Sequence, residues 1–287
     1  MKRFLRWLRA GLLVLFGLVV LAAGVVYVLA ERVVRRTYQE PLVDLVVPTD
    51  SQSIGEGQRL AIVRGCSGGC HGEGIEGGVF IDEPLLAKLV APDLSAAART
   101  YSNGELARII RRGVRPDGRS VIGMPSEMFS PLTDGDLGRI IGYLRSVPPQ
   151  DGPGREVRLG PLARLGLVAG QYSPAAEAVR QADRLTERYP GPGDSTAPGA
   201  YLARTACTEC HGLDLRGGET VPDLRIVAGY SLEAFTTLLR TGTPAGTREL
   251  TLMKQVARKR FSHFTDAEIG ALYAFLSARA ATQDSVK

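Results

Sequence analysis

The residues of this sequence best suited to covalent attachment and metal binding lie in the stretch CTECHG at 207–212, which contains two cysteines and a histidine. Cys207 and Cys210 are separated by two residues, and His211 follows the second cysteine. This C-x-x-C-H spacing is typical of covalent haem attachment, in which both thiols add to the vinyl groups of the haem and the adjacent imidazole binds the iron. The sequence therefore predicts a c-type haem site at 207–211.

A second stretch, CSGGCHG at 66–72, has the same residue types with one extra residue between the cysteines. Cys66 and Cys70 would attach the haem and His71 would bind the iron. The extra length is compatible with this role because Gly68 and Gly69 give the backbone the freedom to bulge and still present both sulfurs. We predict a second covalent haem here.

An internal repeat indicates that both stretches have the same chemistry. Each His-Gly is followed by a Gly-Gly pair and then by APDL at 91–94 or VPDL at 221–224. The next segments have equal length and share tyrosine, arginine, glycine and methionine positions: 101–124 matches 230–253. The repeat predicts two units with one architecture.

The register of the repeat also selects the candidates for the sixth iron ligand. A thioether at this position raises the reduction potential of the iron. Met253 is the candidate in the second unit, and Met124 occupies the same register position in the first. Met128 lies four residues later and is the alternative.

Other roles for these residues remain open at the level of sequence. The cysteines of an exported chain could form a disulfide within each motif, which would leave the two histidines unexplained. A zinc site would need further ligands, and the only other histidine is His263, which is also an alternative iron ligand for the second haem. Four arginines recur in the repeat and could pair with haem carboxylates or be solvated on helix faces: Arg111, Arg119, Arg240 and Arg248.

Helices are the elements expected to position these residues. LTDGDL at 132–137 and FTDAEI at 264–269 combine an N-cap residue with an acidic first turn, and apolar residues follow at helical spacing. ELARIIRRG and LEAFTTLLRTG end at glycine, which is typical of a helix C-terminus. Because no convincing alternating strand pattern is present, we predict an all-α fold for each unit.

The N-terminal region contains a run without charge at 10–30, which as a helix would span roughly 30 Å, the thickness of a bilayer core. Basic residues flank the run on both sides, with a weak bias that favours a cytoplasmic N-terminus. A cleaved signal peptide is the alternative, although the run is longer than the usual apolar region of such peptides. We predict an uncleaved anchor with the rest of the chain outside the cytoplasm.

The charge distribution does not indicate a nucleic-acid partner. The net charge is +5, but four of the 35 basic residues precede residue 10 and no acidic residue does. The remainder therefore carries 31 basic and 30 acidic side chains, which leaves no basic surface of the kind that binds phosphate backbones.

Stretches rich in proline and glycine mark the expected boundaries between units. The predicted organisation is a cytoplasmic N-terminus at 1–9, a transmembrane anchor at 10–30, a tether at 31–52, a first haem unit at 53–148, a linker at 149–195 and a second haem unit at 196–287. The linker contains some helical pattern, to which the sequence assigns no role.

The two units resemble class I cytochrome c domains over 54–148 and 196–280, and the whole resembles membrane-anchored di-haem cytochromes c of bacterial membrane dehydrogenases. MPSEMFSPLTDGDLGRIIGYLRSVPP at 124–149 is similar to the segment of that family in which a methionine before proline binds iron, here Met124. The resemblance implies two tandem domains, each with helices around one covalently bound haem c. It also implies assembly on the periplasmic side of a bacterial inner membrane.

The function predicted from these features is that of an electron carrier rather than an enzyme, with an electron donor and an electron acceptor as protein partners. The alternative within this class is a di-haem subunit of a larger complex, such as a haem–copper oxidase or a dehydrogenase. A di-haem peroxidase would need an iron with an open sixth position, whereas each unit has a methionine candidate. A thiosulfate-oxidising enzyme would need a cysteine ligand, whereas all four cysteines are assigned to attachment.

Overall fold

The computed structural model describes residues 2–188, 198–247 and 249–284, and it is mostly helical. Arg248, one of the four repeated arginines, lies outside the described residues. The α-helices are α1 Lys2–Val34, α2 Ser51–Val63, α3 Leu94–Thr100, α4 Asn103–Arg112, α5 Ser126–Phe129, α6 Asp134–Ser146, α7 Pro161–Val168, α8 Ala175–Arg188, α9 Pro198–Ala206, α10 Thr208–His211, α11 Leu232–Thr241, α12 Thr251–Lys259 and α13 Asp266–Asp284. Short 3₁₀ segments cover Leu224–Gly229 and Phe261–His263, and the strands are β1 Gly78–Glu83, β2 Ala87–Ala91 and β3 Glu156–Leu159.

The prediction of an all-α fold is wrong for the first unit, which contains a three-stranded antiparallel sheet in the order β1-β2-β3. Ala87 of β2 is paired with Glu83 of β1 and with Leu159 of β3. These strands contain six, five and four residues, which is too short for a clear alternation of apolar and polar positions. The third strand is also far from the other two in sequence.

The segments assigned as linker and tether pack against the first unit. Within the predicted linker at 149–195, β3 completes the sheet, α7 packs on α1, and α8 packs on α4 and α5. Within the predicted tether at 31–52, Tyr38 and Leu45 are buried, and the Tyr38 N–H donates to the Gly118 carbonyl at 2.8 Å. The first unit is therefore larger than the repeat that identifies it.

Helix α1 is the one helix in the described ranges that is long and apolar enough to cross a membrane. Ala30 is its only buried residue. A signal sequence near an N-terminus would have the same length and composition, so these properties alone allow either an anchor or a signal.

Each unit has its own apolar core, built around a crossing of the helices that begin and end the repeat. In the first unit α2 packs on α6, and in the second α9 packs on α13. A glycine lies at each crossing: a Cβ atom on Gly57 would lie 2.0 Å from the Arg139 carbonyl oxygen, and one on Gly199 would lie 2.1 Å from that of Ala271. Both crossings require glycine because only a hydrogen side chain fits at these separations.

Candidate haem-binding sites

The second cysteine motif forms a helical turn at the end of α9. The His211 N–H donates to the Cys207 carbonyl at 3.0 Å, and α10 covers Thr208–His211. Residues three and four positions apart lie on one face of a helical turn. Cys207, Cys210 and His211 are therefore placed on the same side of the chain.

The first cysteine motif forms a different turn, which accommodates its extra residue. Gly68 has φ +71°, and its N–H donates to the Gly72 carbonyl at 2.9 Å. A Cβ atom on Gly69 would lie 2.4 Å from the Gly65 carbonyl oxygen. Both glycines are thus needed for the bulge, as the sequence predicts.

The two motif histidines are held by the same hydrogen bond. His71 Nδ1 lies 2.9 Å from the Pro92 carbonyl oxygen, and His211 Nδ1 lies 2.9 Å from that of Pro222. Because a carbonyl oxygen can only accept, Nδ1 must carry the proton in each ring. Burial lowers the pKa of both histidines, more than these hydrogen bonds raise it, so the rings are neutral near pH 7. Nε2 of each ring therefore has a free lone pair for a metal.

The prolines that accept these bonds are positioned by an unusual loop that occurs in both units. Ile75 has φ +66° and Leu215 has φ +59°, a left-handed conformation that non-glycine residues rarely adopt. Their carbonyl oxygens accept from the N–H groups of Leu94, at 2.9 Å, and Leu224, at 3.0 Å. The shared PDL sequence was the signal for this loop, but the left-handed residues themselves are not evident from the sequence.

The cysteine sulfurs are uncharged and unpaired. All four cysteines are free thiols, so no disulfide joins the two cysteines of either motif. Burial raises the pKa of Cys66 to about 11 and that of Cys207 to about 12. A raised thiol pKa disfavours a thiolate metal site.

A cavity of about 360 Å³ in the first unit brings four predicted site residues together: Cys66, Cys70, His71 and Met124. The rest of its lining is largely apolar and includes Leu106, Ile110, Phe129 and Leu144. Met128, the alternative ligand, is only 1% exposed and belongs to the apolar core. An apolar cavity with two thiols, one imidazole nitrogen and one thioether sulfur in its wall fits a covalently attached haem.

In the second unit, Met253 is half-buried on the first turn of α12 and packs against the core cluster that contains Cys207. The two methionines are held differently, because Met124 precedes the short helix α5 and lies outside any helix. His263 is exposed, and its carbonyl oxygen accepts from Arg59 at 3.0 Å. The structure gives this histidine no contact that favours iron ligation.

The repeated arginines that are described do not lie in the cavity wall. Arg111 Nη1 lies 2.6 Å from an Asp134 carboxylate oxygen at the start of α6, and Arg240 Nη2 lies 2.7 Å from Asp266 at the start of α13. These two arginines hold the start of α6 in the first unit and the start of α13 in the second. Arg119 is placed by a backbone bridge to Thr37.

Arg115 and Arg155 line the cavity, and sequence reasoning did not select either one. Burial and the neighbouring charge of Arg115 lower the pKa of Arg155. Arg115 pairs with Asp117 at 3.1 Å, and the two positive charges near each other favour a further anion beside Arg155. The two guanidinium groups are suited to pair with the carboxylate groups of a haem. Their position at the cavity follows from the fold of the first unit and not from the repeat.

The second unit contributes to the wall of the first cavity through Arg260 and Glu209, which form an ion pair at 3.0 Å. Arg260 Nε also donates to the Val63 carbonyl at 3.3 Å, just before the first motif. Further contacts join the units, including the pair of Arg59 with Glu268 at 2.7 Å. The two cysteine motifs therefore meet on either side of Arg260.

In a comparison with known families, residues 196–279 match the family model described as Cytochrome c. No curated protein matches the chain. The matched range includes Cys207, Cys210, His211 and Met253, and it extends from α9 into α13. Members of this family are generally electron carriers with a covalently bound haem c. The chain therefore contains a cytochrome c domain at residues 196–279.

Proposed function

We propose that the chain is a membrane-anchored c-type cytochrome with two haems, which carries single electrons between a donor protein and an acceptor protein. The observation that carries this proposal is the identical Nδ1 hydrogen bond of His71 and His211, each to a proline carbonyl at 2.9 Å. His211 lies within the cytochrome c match. His71 has the same geometry and lies in the wall of a cavity of suitable chemistry.

Each unit would hold its haem with one set of four side chains. Cys66 and Cys70, and in the second unit Cys207 and Cys210, would form the covalent links. The iron would be bound by His71 and Met124 in the first unit and by His211 and Met253 in the second. When bound, haem supplies the one-electron redox chemistry of its iron.

The protein groups around these ligands restrict the site to electron exchange. The hydrogen bond from Nδ1 to the proline carbonyl fixes each imidazole and increases the basicity of Nε2. The largely apolar lining of the first cavity would disfavour water beside the haem. Met124 and Met253 as iron ligands would leave no open site for peroxide or oxygen.

The contact between the units supports electron exchange within the chain. Burial raises the pKa of all four cysteine thiols, and the positive charge of Arg260 acts in the opposite direction on each of them. Arg260 is therefore within electrostatic reach of both attachment motifs. This arrangement favours a two-centre relay over two independent carriers.

The proposed location is the inner membrane of a bacterium, with α1 as the anchor and both haem units on the periplasmic side. The length and composition of α1 support this location. Haem attachment outside the cytoplasm, which the family implies, is consistent with the same orientation. N-terminal sequencing of the mature protein distinguishes an anchor from a cleaved signal.

The spectrum of the oxidised protein tests the carrier function. We expect low-spin iron with a methionine-to-iron charge-transfer band from both centres, and no peroxide turnover. High-spin iron with peroxide turnover would support the di-haem peroxidase instead. Purification in mild detergent separates a free carrier from a subunit of a larger oxidase or dehydrogenase, because only the subunit would bring other chains with it.

Replacing Arg260 is expected to change both haems together. In Arg260→Gln the reduction potential of each centre should fall, because a nearby positive charge favours the reduced iron. Arg260→Lys keeps the charge and should restore most of the potential. Redox titration followed by absorbance measures both values.

Arg258→Gln is the matched control for this experiment. Arg258 is exposed on α12, two residues before Arg260, and its Nε donates to the Thr241 carbonyl at 3.1 Å, away from the first cavity. Its substitution should leave both potentials unchanged. A shift of only one centre in Arg260→Gln would contradict a charge shared by the two sites.

A further inference from the structure

Four leucines of the first unit form an exposed apolar surface, the leucine patch. Leu85 and Leu86, in the turn between β1 and β2, are 66% and 42% exposed, and Leu162 and Leu165, on α7, are 55% and 52% exposed. The turn and the helix are adjacent, because the Leu162 N–H donates to the Leu85 carbonyl at 3.0 Å. Soluble proteins rarely leave contiguous apolar patches uncovered unless the patch binds something.

The helix that carries half of this patch is fixed to the end of α1. The Arg164 guanidinium lies 4.1 Å from the centre of the Tyr27 ring, and its Nη1 lies 3.0 Å from a Glu31 carboxylate oxygen. Tyr27 is three residues before Ala30, the last residue of the uncharged run. At 1.5 Å per residue this is about 4.5 Å along the helix axis. Helix α7 therefore lies at the level where the proposed membrane segment ends.

The residue types at this depth are those expected at a membrane surface. Tyrosine is enriched where a transmembrane helix enters the headgroup region. Arginine can place its apolar stem along lipid or protein while its guanidinium stays at the polar boundary. Arg32 follows directly and is exposed, in position to meet lipid phosphates, and Arg35 is exposed beside it with its Nε 2.7 Å from a Glu31 carboxylate oxygen. The leucine patch, at the same depth, would meet the acyl chains.

We propose that the leucine patch inserts into the interfacial layer of the bilayer, on the side where α1 ends, and seats the first unit on the membrane. This inference rests on the proposed anchor. It gives a role to α7, which lies in the predicted linker and has no part in the electron-carrier function. The occupant is the lipid surface, because the helix that carries half of the patch packs on the only described helix that could span a membrane.

Cysteine labelling of the haem-loaded, full-length protein in phosphatidylcholine nanodiscs tests the inference. Leu165→Cys is compared with Leu252→Cys, a 59% exposed leucine of the second unit, and with Val14→Cys, a 63% exposed residue in the middle of α1. The probe is a charged maleimide that does not enter lipid, with labelling followed by intact mass. We expect Leu165→Cys to react at least about tenfold more slowly than Leu252→Cys, because a charged probe is excluded from the apolar layer. Val14→Cys should not react.

The three variants distinguish failure of the patch from failure of the anchor. If Leu165→Cys reacts as fast as Leu252→Cys while Val14→Cys is protected, the leucine patch is not in the membrane although the anchor is. If Val14→Cys also reacts freely, the anchor itself is wrong. A nitroxide on Leu165→Cys separates lipid from a protein partner: it should collide more often with oxygen than with a water-soluble nickel complex. The reverse preference would overturn membrane insertion.

Discussion

Replacing Cys207 and Cys210 by serine is expected to reduce the haem content of the chain from two per polypeptide to one. Serine hydroxyls do not form the thioether links, so the second unit would lose its covalent haem while the first, with its own core, keeps its attachment site. The pyridine haemochrome assay gives haem per polypeptide, and intact mass shows how many haems remain covalently bound.

The corresponding change in the first unit, Cys66→Ser with Cys70→Ser, is both the matched control and the sharper test. It should also leave one haem, because the bulge at Gly68 presents both sulfurs to the same cavity. If this variant binds as much haem as the unchanged chain, the first unit is not a haem site and the two-centre proposal is wrong. The single variants Cys66→Ser and Cys70→Ser show whether both links form.

Substituting the sixth ligand of the first unit is expected to have the second large effect. In Met124→Leu the thioether is lost, so the reduction potential of that centre should fall by roughly a tenth of a volt or more, within the range of about 0.8 V over which axial ligands set haem potentials. The opened iron should then bind carbon monoxide at neutral pH. Redox titration and carbon monoxide difference spectra measure the two effects.

Met128→Leu is the control that the chain itself provides. Met128 is 1% exposed in the core, and a swap of similar volume there should cost less than about 1.5 kcal/mol and leave the iron ligands intact. If Met128→Leu opens the iron and Met124→Leu does not, the register of the repeat has selected the wrong methionine.

The parts of this fold that could be predicted are those in which chemistry dictates the residue type at a fixed spacing. A thioether link needs cysteine and an iron ligand needs histidine, so Cys207, Cys210 and His211 identify their site without any structure. The helix starts at Thr133 and Thr265 were also readable, because a side-chain cap has a local signature; their hydroxyls accept from backbone N–H groups three residues later.

The features that could not be predicted depend on contacts between distant segments. β3 is a strand because β2 lies beside it, and its own four residues contain too little pattern to show this. Arg260 follows the last residue of α12, and arginine usually lies on the protein surface. Only the docking of the two units places it beside Val63. Arg115 and Arg155 likewise meet at the cavity only after β3 has joined the sheet.

The position of Arg260 and Glu209 in the wall of the first cavity has a consequence for the order of assembly. Synthesis runs from the N-terminus, so in the proposed location the first motif would leave the membrane before the residues that close its cavity. We expect the first haem to be inserted while this side of the cavity is still open, and docking of the second unit to enclose it afterwards. The two centres would then mature in sequence, and haem would be attached first at the motif with the extra residue, 66–71.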